Sequence, residues 1–456
     1  MRGVGMTNWH AGFGGLRLAS GPWIGALGLV IAGSAPVLAQ TAVTTSPTAP
    51  TERSTGAARA TEPLDVDQNP LEQNTGDLVA ESYQPKGLDL GSFLLLPSVS
   101  LGETYNSNIY ATPDDEKSDF LTTLGAKFDL RSRFTEHELN TVIEAEHVWF
   151  SQYDENDVTN FRGSTNGRYD INRDTQVKLG IRGSLDHEER GSSDAAQGEK
   201  PTPTHTVGAL LGGETHLGAY TIGVEAGATR YGFSNVSTSL GPDIDNESRN
   251  RTEYTGAVRG AYEFVPGYAA ILSGTANKRA YDSDNTFGEN RNSAGYSVET
   301  GIGVDISKVL RGDFLAGYFE QDYESGALDD PSGPMIKAVF NWTPTKLTLV
   351  VPAIERSVVD STLAGASGMV RTSYSLLVRH EYARNVILRG YAAYSHDDYP
   401  GIEESSDTFL VNGQATYAFM PELDLTGLVG YTTKDSTISS LPYDQLVTTL
   451  TLSLRF

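Results

Sequence analysis

The sequence predicts an all-β fold, a transmembrane antiparallel up-and-down β-barrel of roughly eighteen strands behind an exported, unstructured lead. Three observations predict it. Apolar and polar residues alternate with a period of two in the cleanest segments, tight turns alternate with long acidic loops, and the chain ends in an alternating strand closed by Phe456. Successive strand residues point to opposite faces, so this alternation makes one face apolar and the other wet.

Composition narrows the alternatives. The 456 residues carry 34 basic and 58 acidic side chains, so 34 − 58 = −24 at pH 7, with no Cys. That charge argues against nucleic acid as a partner, because phosphate binding rests on Lys and Arg. Without Cys there is no disulfide, thiol nucleophile, Cys-zinc site or lipid-anchored N-terminal Cys. The mean hydropathy is −0.31, and no apolar run approaches the roughly 20 residues of a spanning helix. A barrel escapes that exclusion, since only every second residue of its strands must be apolar.

Residues 1–39 read as a secretory signal: Arg2 and Arg17 precede the apolar stretch Trp23–Ala35, and Val37-Leu38-Ala39 offers compact residues for cleavage after Ala39. The long basic region also makes Met6 a candidate start. A membrane anchor is the weaker alternative because the apolar core is too short. Residues 40–90 are rich in Thr, Pro, Ala, Glu and Gln and nearly free of aromatics, which predicts a disordered periplasmic segment. A lumen plug or docking arm is the alternative for it. Residues 91–456 form the predicted barrel.

Within the barrel, Leu446, Leu450, Leu452, Leu454 and Phe456 share one face of the last strand while Thr449, Thr451, Ser453 and Arg455 share the other. Val370 to Tyr382 and Glu253 to Phe264 alternate in the same way, whereas Gly267 to Asp282 fits either register. The tight connections are Phe134 to His137, Asn172 to Asp174, Leu217 to Ala219, Val265 to Gly267, Ser307-Lys308, Thr343 to Thr345, Arg384-Asn385 and Met420 to Glu422. Between them run acidic stretches such as ATPDDEKSD and HDDYPGIEESSD. Short turns at one end and long loops at the other match the periplasmic and external ends of an outer-membrane barrel. Aromatics sort into two belts, one of Phe134, Tyr169, Tyr220, Phe264, Tyr268, Trp342, Tyr382, Phe419 and Phe456 near the turns. The other, toward the loops, takes Trp149, Phe161, Phe233, Tyr254, Tyr281, Tyr323, Tyr399 and Phe409. A weak repeat, Tyr262-Glu-Phe264-Val-Pro266, Phe340-Asn-Trp342-Thr-Pro344 and Tyr417-Ala-Phe419-Met-Pro421, precedes three of the turns.

The opening segment, Lys86-Gly-Leu-Asp-Leu-Gly-Ser-Phe-Leu-Leu-Leu-Pro97-Ser-Val-Ser-Leu followed by Tyr105-Asn-Ser-Asn108-Ile-Tyr110, resembles the start of the putative beta-barrel porin 2 family of Gram-negative outer membranes. The resemblance extends to Phe456. It implies a barrel in the cell outer membrane and, through the association of family members with exopolysaccharide synthesis, a conduit or accessory for polysaccharide export. Leu450, Leu452, Leu454 and Phe456 look like the signal read by the barrel assembly machinery.

Charges on the wet face are mixed in sign. The predicted pore lining comprises Arg131, Glu144, Glu146, Arg162, Arg168, Lys178, Arg182, Glu225, Glu253, Arg259, Glu299, Asp305, Arg371, Arg379, Glu381 and Arg389. Placing these in lipid would cost about 2–4 kcal/mol each for Lys or Arg at the midplane, which assigns them to the interior. Tyr391 and Phe319 are assigned to the same face. Acidic loop clusters, Asp397-Asp398 with Glu403-Glu404 and Asp243-Asp245-Glu247, offer hard-cation oxygens but no EF-hand spacing, so solvated carboxylates are the preferred reading and no metal or cofactor is expected. His187-Glu188-Glu189 and His396-Asp397-Asp398 are the only catalytic suggestions, without a nucleophile elbow or HExxH motif, so no enzyme is expected. The expected function is a channel, polysaccharide export first, small-solute diffusion second, and a structural or adhesive barrel third. Expected partners are outer-membrane lipid and lipopolysaccharide, the assembly machinery and periplasmic polysaccharide-export proteins.

Overall fold

The computed structural model describes residues 83 and 85–456, apart from 193–197, 239–242, 285–287, 307–308, 360, 362, 364 and 439–440. The expected signal with Val37 and Ala39, nearly all of the 40–90 segment and the Ser307-Lys308 turn lie outside the described residues.

A two-residue strand, β1 (Leu88–Asp89), precedes eighteen barrel strands: β2 (Phe93–Asn106), β3 (Asp119–Ser132), β4 (Glu138–Phe150), β5 (Val158–Asp170), β6 (Thr175–His187), β7 (Pro203–Leu217), β8 (Tyr220–Phe233), β9 (Arg251–Val265) and β10 (Tyr268–Tyr281). They continue with β11 (Ser293–Ile306), β12 (Leu310–Tyr323), β13 (Ser332–Thr345), β14 (Thr348–Val359), β15 (Met369–Ala383), β16 (Val386–Tyr399), β17 (Glu404–Met420), β18 (Leu423–Ser436) and β19 (Tyr443–Arg455). Each pairs antiparallel with the next, and β19 returns to β2 from Val447↔Asn106 to Arg455↔Ser98. The sheet is closed, so its first and last edges satisfy each other, as a membrane interior demands.

The period of two carries over into packing. On β19, Gln445, Val447, Thr449, Thr451, Ser453 and Arg455 are buried inward, while Leu446, Leu450, Leu452 and Leu454 are exposed outward. The ambiguous β10 segment resolves the same way: Tyr268 and Leu272 face out, and Ile271, Ser273, Thr275 and Arg279 face in.

Among the described residues four ladder shifts occur at turn ends, and three coincide with the repeated proline motifs, at Tyr268/Ala269, Trp342/Thr345 and Ala418/Met420. Proline has no N–H to give to the ladder, so pairing slips where it closes a strand. At the strand entrance, Asp89 Oδ1 accepts the Gly91 N–H at 2.8 Å and Asp89 pairs with Arg133 at 2.6 Å. The Gly91 N–H first, then the Arg133 guanidinium, hold the Asp89 carboxyl below its usual range.

The turn-side aromatic belt is exposed as expected, from Phe134 to Phe456. Its loop-side counterpart needs correction. Trp149, Phe161, Tyr254 and Phe409 are exposed, but Phe233, Tyr323 and Tyr399 are buried on the inner face, and Tyr281 lies beside Arg251 there. Exposed Tyr296, Tyr318, Tyr374, Tyr394 and Tyr431 lie near that end instead. A second correction concerns HDDYPGIEESSD. Strand β16 runs to Tyr399 and β17 starts at Glu404, so Asp397 and Asp398 belong to the wall rather than to a loop.

Candidate functional site: the lumen and its inward hairpin

Strand parity puts all sixteen predicted lumen residues on the inner face, and ion pairs organise them. On the β3–β6 wall, Glu144 meets Lys127 at 3.3 Å, and Arg162 bridges Glu146 at 3.1 Å and Asp186 at 2.7 Å. Arg168 reaches Glu138 at 2.8 Å and Asp170 at 3.2 Å, and Arg131 holds Asp129 at 2.9 Å. Arg182 of β6 stretches over β7 to Thr229 Oγ1 at 3.4 Å, with Lys178 and Glu225 nearby.

The β9–β12 sector curves more sharply. Arg259 of β9 donates to Asp313 of β12 at 2.7 Å, reaching over two intervening strands. Ala261, Ala269, Ile271 and Leu315 pack together on the same concave side. The bend needs missing side chains: a Cβ at Gly301 would lie 1.8 Å from the Phe314 carbonyl oxygen, and one at Gly317 2.0 Å from that of Val298. Around this corner, Arg251 pairs with Glu253 at 2.7 Å, Arg311 with Asp305 at 3.0 Å, and Ser297 donates to Glu299 at 2.9 Å.

Further round the wall, Arg371 grips Asp397 with two bonds of 2.6 Å, and Arg379 lies 3.4 Å from Glu381 while standing directly across from Arg389. Asp397 is fully buried. Sequence reasoning missed it, together with Asp186 and Asp313, because the partners of inward arginines are set by register and curvature. Tyr391 is half-buried and Phe319 buried, both inward. Leu450, Leu452, Leu454 and Phe456 face out.

The ladder between β13 and β14 stops at Lys337↔Glu355. Their outer partners continue: β12–β13 pairs up to Glu320↔Ser332 and β14–β15 up to Val359↔Met369. The end of the β14–β15 hairpin therefore parts from β13 and tilts into the lumen, while β15 stays laddered to β16 as far as Val370↔Asp398. Val358 and Val370, of lipid-facing parity, are buried against the inward Phe319 and Met335. Val359, Ala366 and Met369, on the other side of the hairpin, pack with Tyr231 and Phe233 of β8 and Tyr399 of β16. Strands β8 and β15 are seven apart along the sheet (15 − 8 = 7), so this cluster crosses the barrel. Two buried arginines tie it down, Arg279 to the Val358 carbonyl at 3.3 Å and Arg291 to that of Ala366 at 3.2 Å. This explains the misassigned aromatics: Phe233 and Tyr399 pack against the hairpin end, and Tyr323 lies beside it.

A loop at the same end is also knitted inward. Arg190 caps the Tyr110 ring at 5.0 Å and donates to Asn156 Oδ1 at 2.7 Å, and burial lowers its guanidinium's affinity for the proton. The sequence-suggested histidines lead elsewhere. His187 is buried against Asn160 at 2.8 Å, and His396 sits on the outer face between Asp407 and Asp398. Among the described residues no group of three or more His, Asp or Glu is placed to hold a metal ion.

The model of one protein family, described as Putative beta-barrel porin 2, matches residues 81–456. The chain belongs to this family. As a member of the porin 2 family it is an outer-membrane β-barrel. None of the curated proteins compared with it matches. Among solved structures, this porin 2 barrel is similar to the outer membrane protein OpdK of Pseudomonas aeruginosa, at 10% identity and TM-score 0.43, covering 79% of this chain and 99% of that one. OccK3 (OpdO) of the same organism gives 13% identity and TM-score 0.41 over 85% and 99%. OccAB3 of Acinetobacter baumannii gives 10% and 0.43 over 80% and 100%.

Proposed function

We propose that this porin passes small solutes by diffusion through a lumen narrowed by the inward end of the β14–β15 hairpin. The observation that carries the reading is the packing of that end across the barrel, from Met369 and Val359 to Tyr231 and Phe233. Apolar contacts and the Arg279 and Arg291 bonds hold the obstruction in place, which suits small solutes better than a polymer. The ion-paired wall fits the same reading. Paired charges around Arg162, Arg259 and Arg371 line the wall without giving it a single sign. Polysaccharide export, implied by the family resemblance, loses support to the same narrowing. Periplasmic export proteins lose their place as partners with it. Lipopolysaccharide contact and recognition of Leu450, Leu452, Leu454 and Phe456 by the assembly machinery stay within the proposal.

Reconstituted barrels should conduct ohmically in planar bilayers and admit monosaccharides into liposomes while excluding oligosaccharides. Admission of long glycans at the monosaccharide rate would return the reading to a polysaccharide conduit. A barrel that inserts without conducting would make it structural.

A further inference from the structure

The departure of β14 from β13 does more than narrow the lumen, because it interrupts the wall itself. Below Lys337↔Glu355 the two strands share a ladder, and above it residues 332–336 of β13 and 356–359 of β14 do not pair. Inside hydrocarbon every backbone group needs a partner, so a wall without a ladder is costly and confined to places where something else closes it. Here the closure is a lap joint. The hairpin end slides behind β12–β13, and Val358 and Val370 meet Phe319 and Met335 through side chains alone. Pro334 on the free length of β13 removes one N–H that would otherwise be left over.

The joint has a height and a polarity. Tyr318, which pairs with Pro334, and Tyr374, which pairs with Ile354, are exposed outward on either side of it. Amphipathic rings sit where hydrocarbon gives way to headgroups. At the foot of the joint, on the same outward parity, stands Arg356. Its Nη1 donates to Thr372 Oγ1 at 2.7 Å, while its Nε is buried without a hydrogen-bond partner among the described residues. A cation at headgroup height thus borders an apolar contact that no ladder hydrogen bond locks shut.

We propose that the β13–β14 joint is a lateral entrance through which a single-chain amphiphile with a carboxylate head passes between the outer leaflet and the lumen, its chain displacing the Val358/Val370 contact with Phe319/Met335 and its head drawn to Arg356. This route is distinct from the aqueous passage proposed above. Parting the joint breaks dispersion contacts but no ladder hydrogen bond, whereas every fully paired seam would lose a row of them.

Because the chain has no Cys, a disulfide can be installed cleanly. The double variant Met335→Cys/Val358→Cys, placed in a host lacking its own fatty-acid channel, is tested by uptake of radiolabelled dodecanoate and, in the same cells, of arabinose. The wild-type barrel raises dodecanoate uptake several-fold over cells without it. Oxidation of the pair abolishes that gain, reduction restores it, and arabinose entry is unchanged throughout. Arg356→Gln lowers dodecanoate uptake several-fold and leaves uptake of neutral dodecanol alone, a readout that stands even if the cysteine pair fails to assemble. Equal dodecanoate uptake by oxidised and reduced barrels, by Arg356→Gln and wild type, or by cells with and without the barrel overturns the entrance. Loss of arabinose entry with dodecanoate uptake intact would instead overturn the aqueous reading alone.

Discussion

Arg371 and Asp397 show what the lumen asks of a single side chain. Both are buried, bonded twice at 2.6 Å, and set on neighbouring strands. Removing one partner leaves an uncompensated buried charge, so Arg371→Met should destabilise the barrel by about 3–5 kcal/mol in urea titrations of the heat-modifiable band. The double variant Arg371→Met/Asp397→Leu should recover most of that loss. Gly301 and Gly317 form the other residue-scale constraint, since any Cβ there meets backbone rather than a movable side chain. Gly317→Val should prevent accumulation of the folded, fast-migrating form, whereas Gly326→Val, in an open loop with nothing within 4 Å of its Cβ, should accumulate normally.

At the scale of elements, the chain wrote its strands legibly because alternation is a local property and lipid enforces it residue by residue. The turns were legible for the same reason, and the proline motifs marked ladder shifts at Pro266, Pro344 and Pro421. What parity could not reveal was the hairpin end. Val358 and Val370 carry the lipid-facing pattern of their strands, yet a tilt of the whole element hides them behind β13. Phe233, Tyr323 and Tyr399 were misread as membrane-belt residues because position near a loop does not say which face a ring occupies. Asp397 was misread as loop because an acidic run looks the same on a strand that extends past the membrane. Two outcomes follow at this scale. Arg279→Ala with Arg291→Ala should loosen the hairpin end and raise single-channel conductance and its noise, while the far-UV β signal stays unchanged. Leu454→Asp on the last strand should reduce the assembled fraction in cells without affecting refolding of purified protein into detergent, if that face is read by the assembly machinery.

Across the whole molecule, closure and asymmetry set the function. The β19–β2 ladder joins residues more than three hundred positions apart, so the barrel exists only when both ends of the chain have folded. Charges on its inner wall are mixed in sign and largely tied in ion pairs such as those of Arg162, Arg259 and Arg371. One end is lined by short turns, and the other is narrowed by the hairpin and knitted loops such as that of Arg190. A barrel of this size would be a wide tube if its walls alone decided the bore. On the proposed function, control of passage lies in the hairpin end. The direct test is single-channel conductance of the purified barrel beside a variant in which residues 358–370 are replaced by a tight Asn-Gly turn. A small conductance in the native barrel that rises several-fold in the shortened one is the predicted result; equal conductance in the two, with both correctly folded, would contradict it.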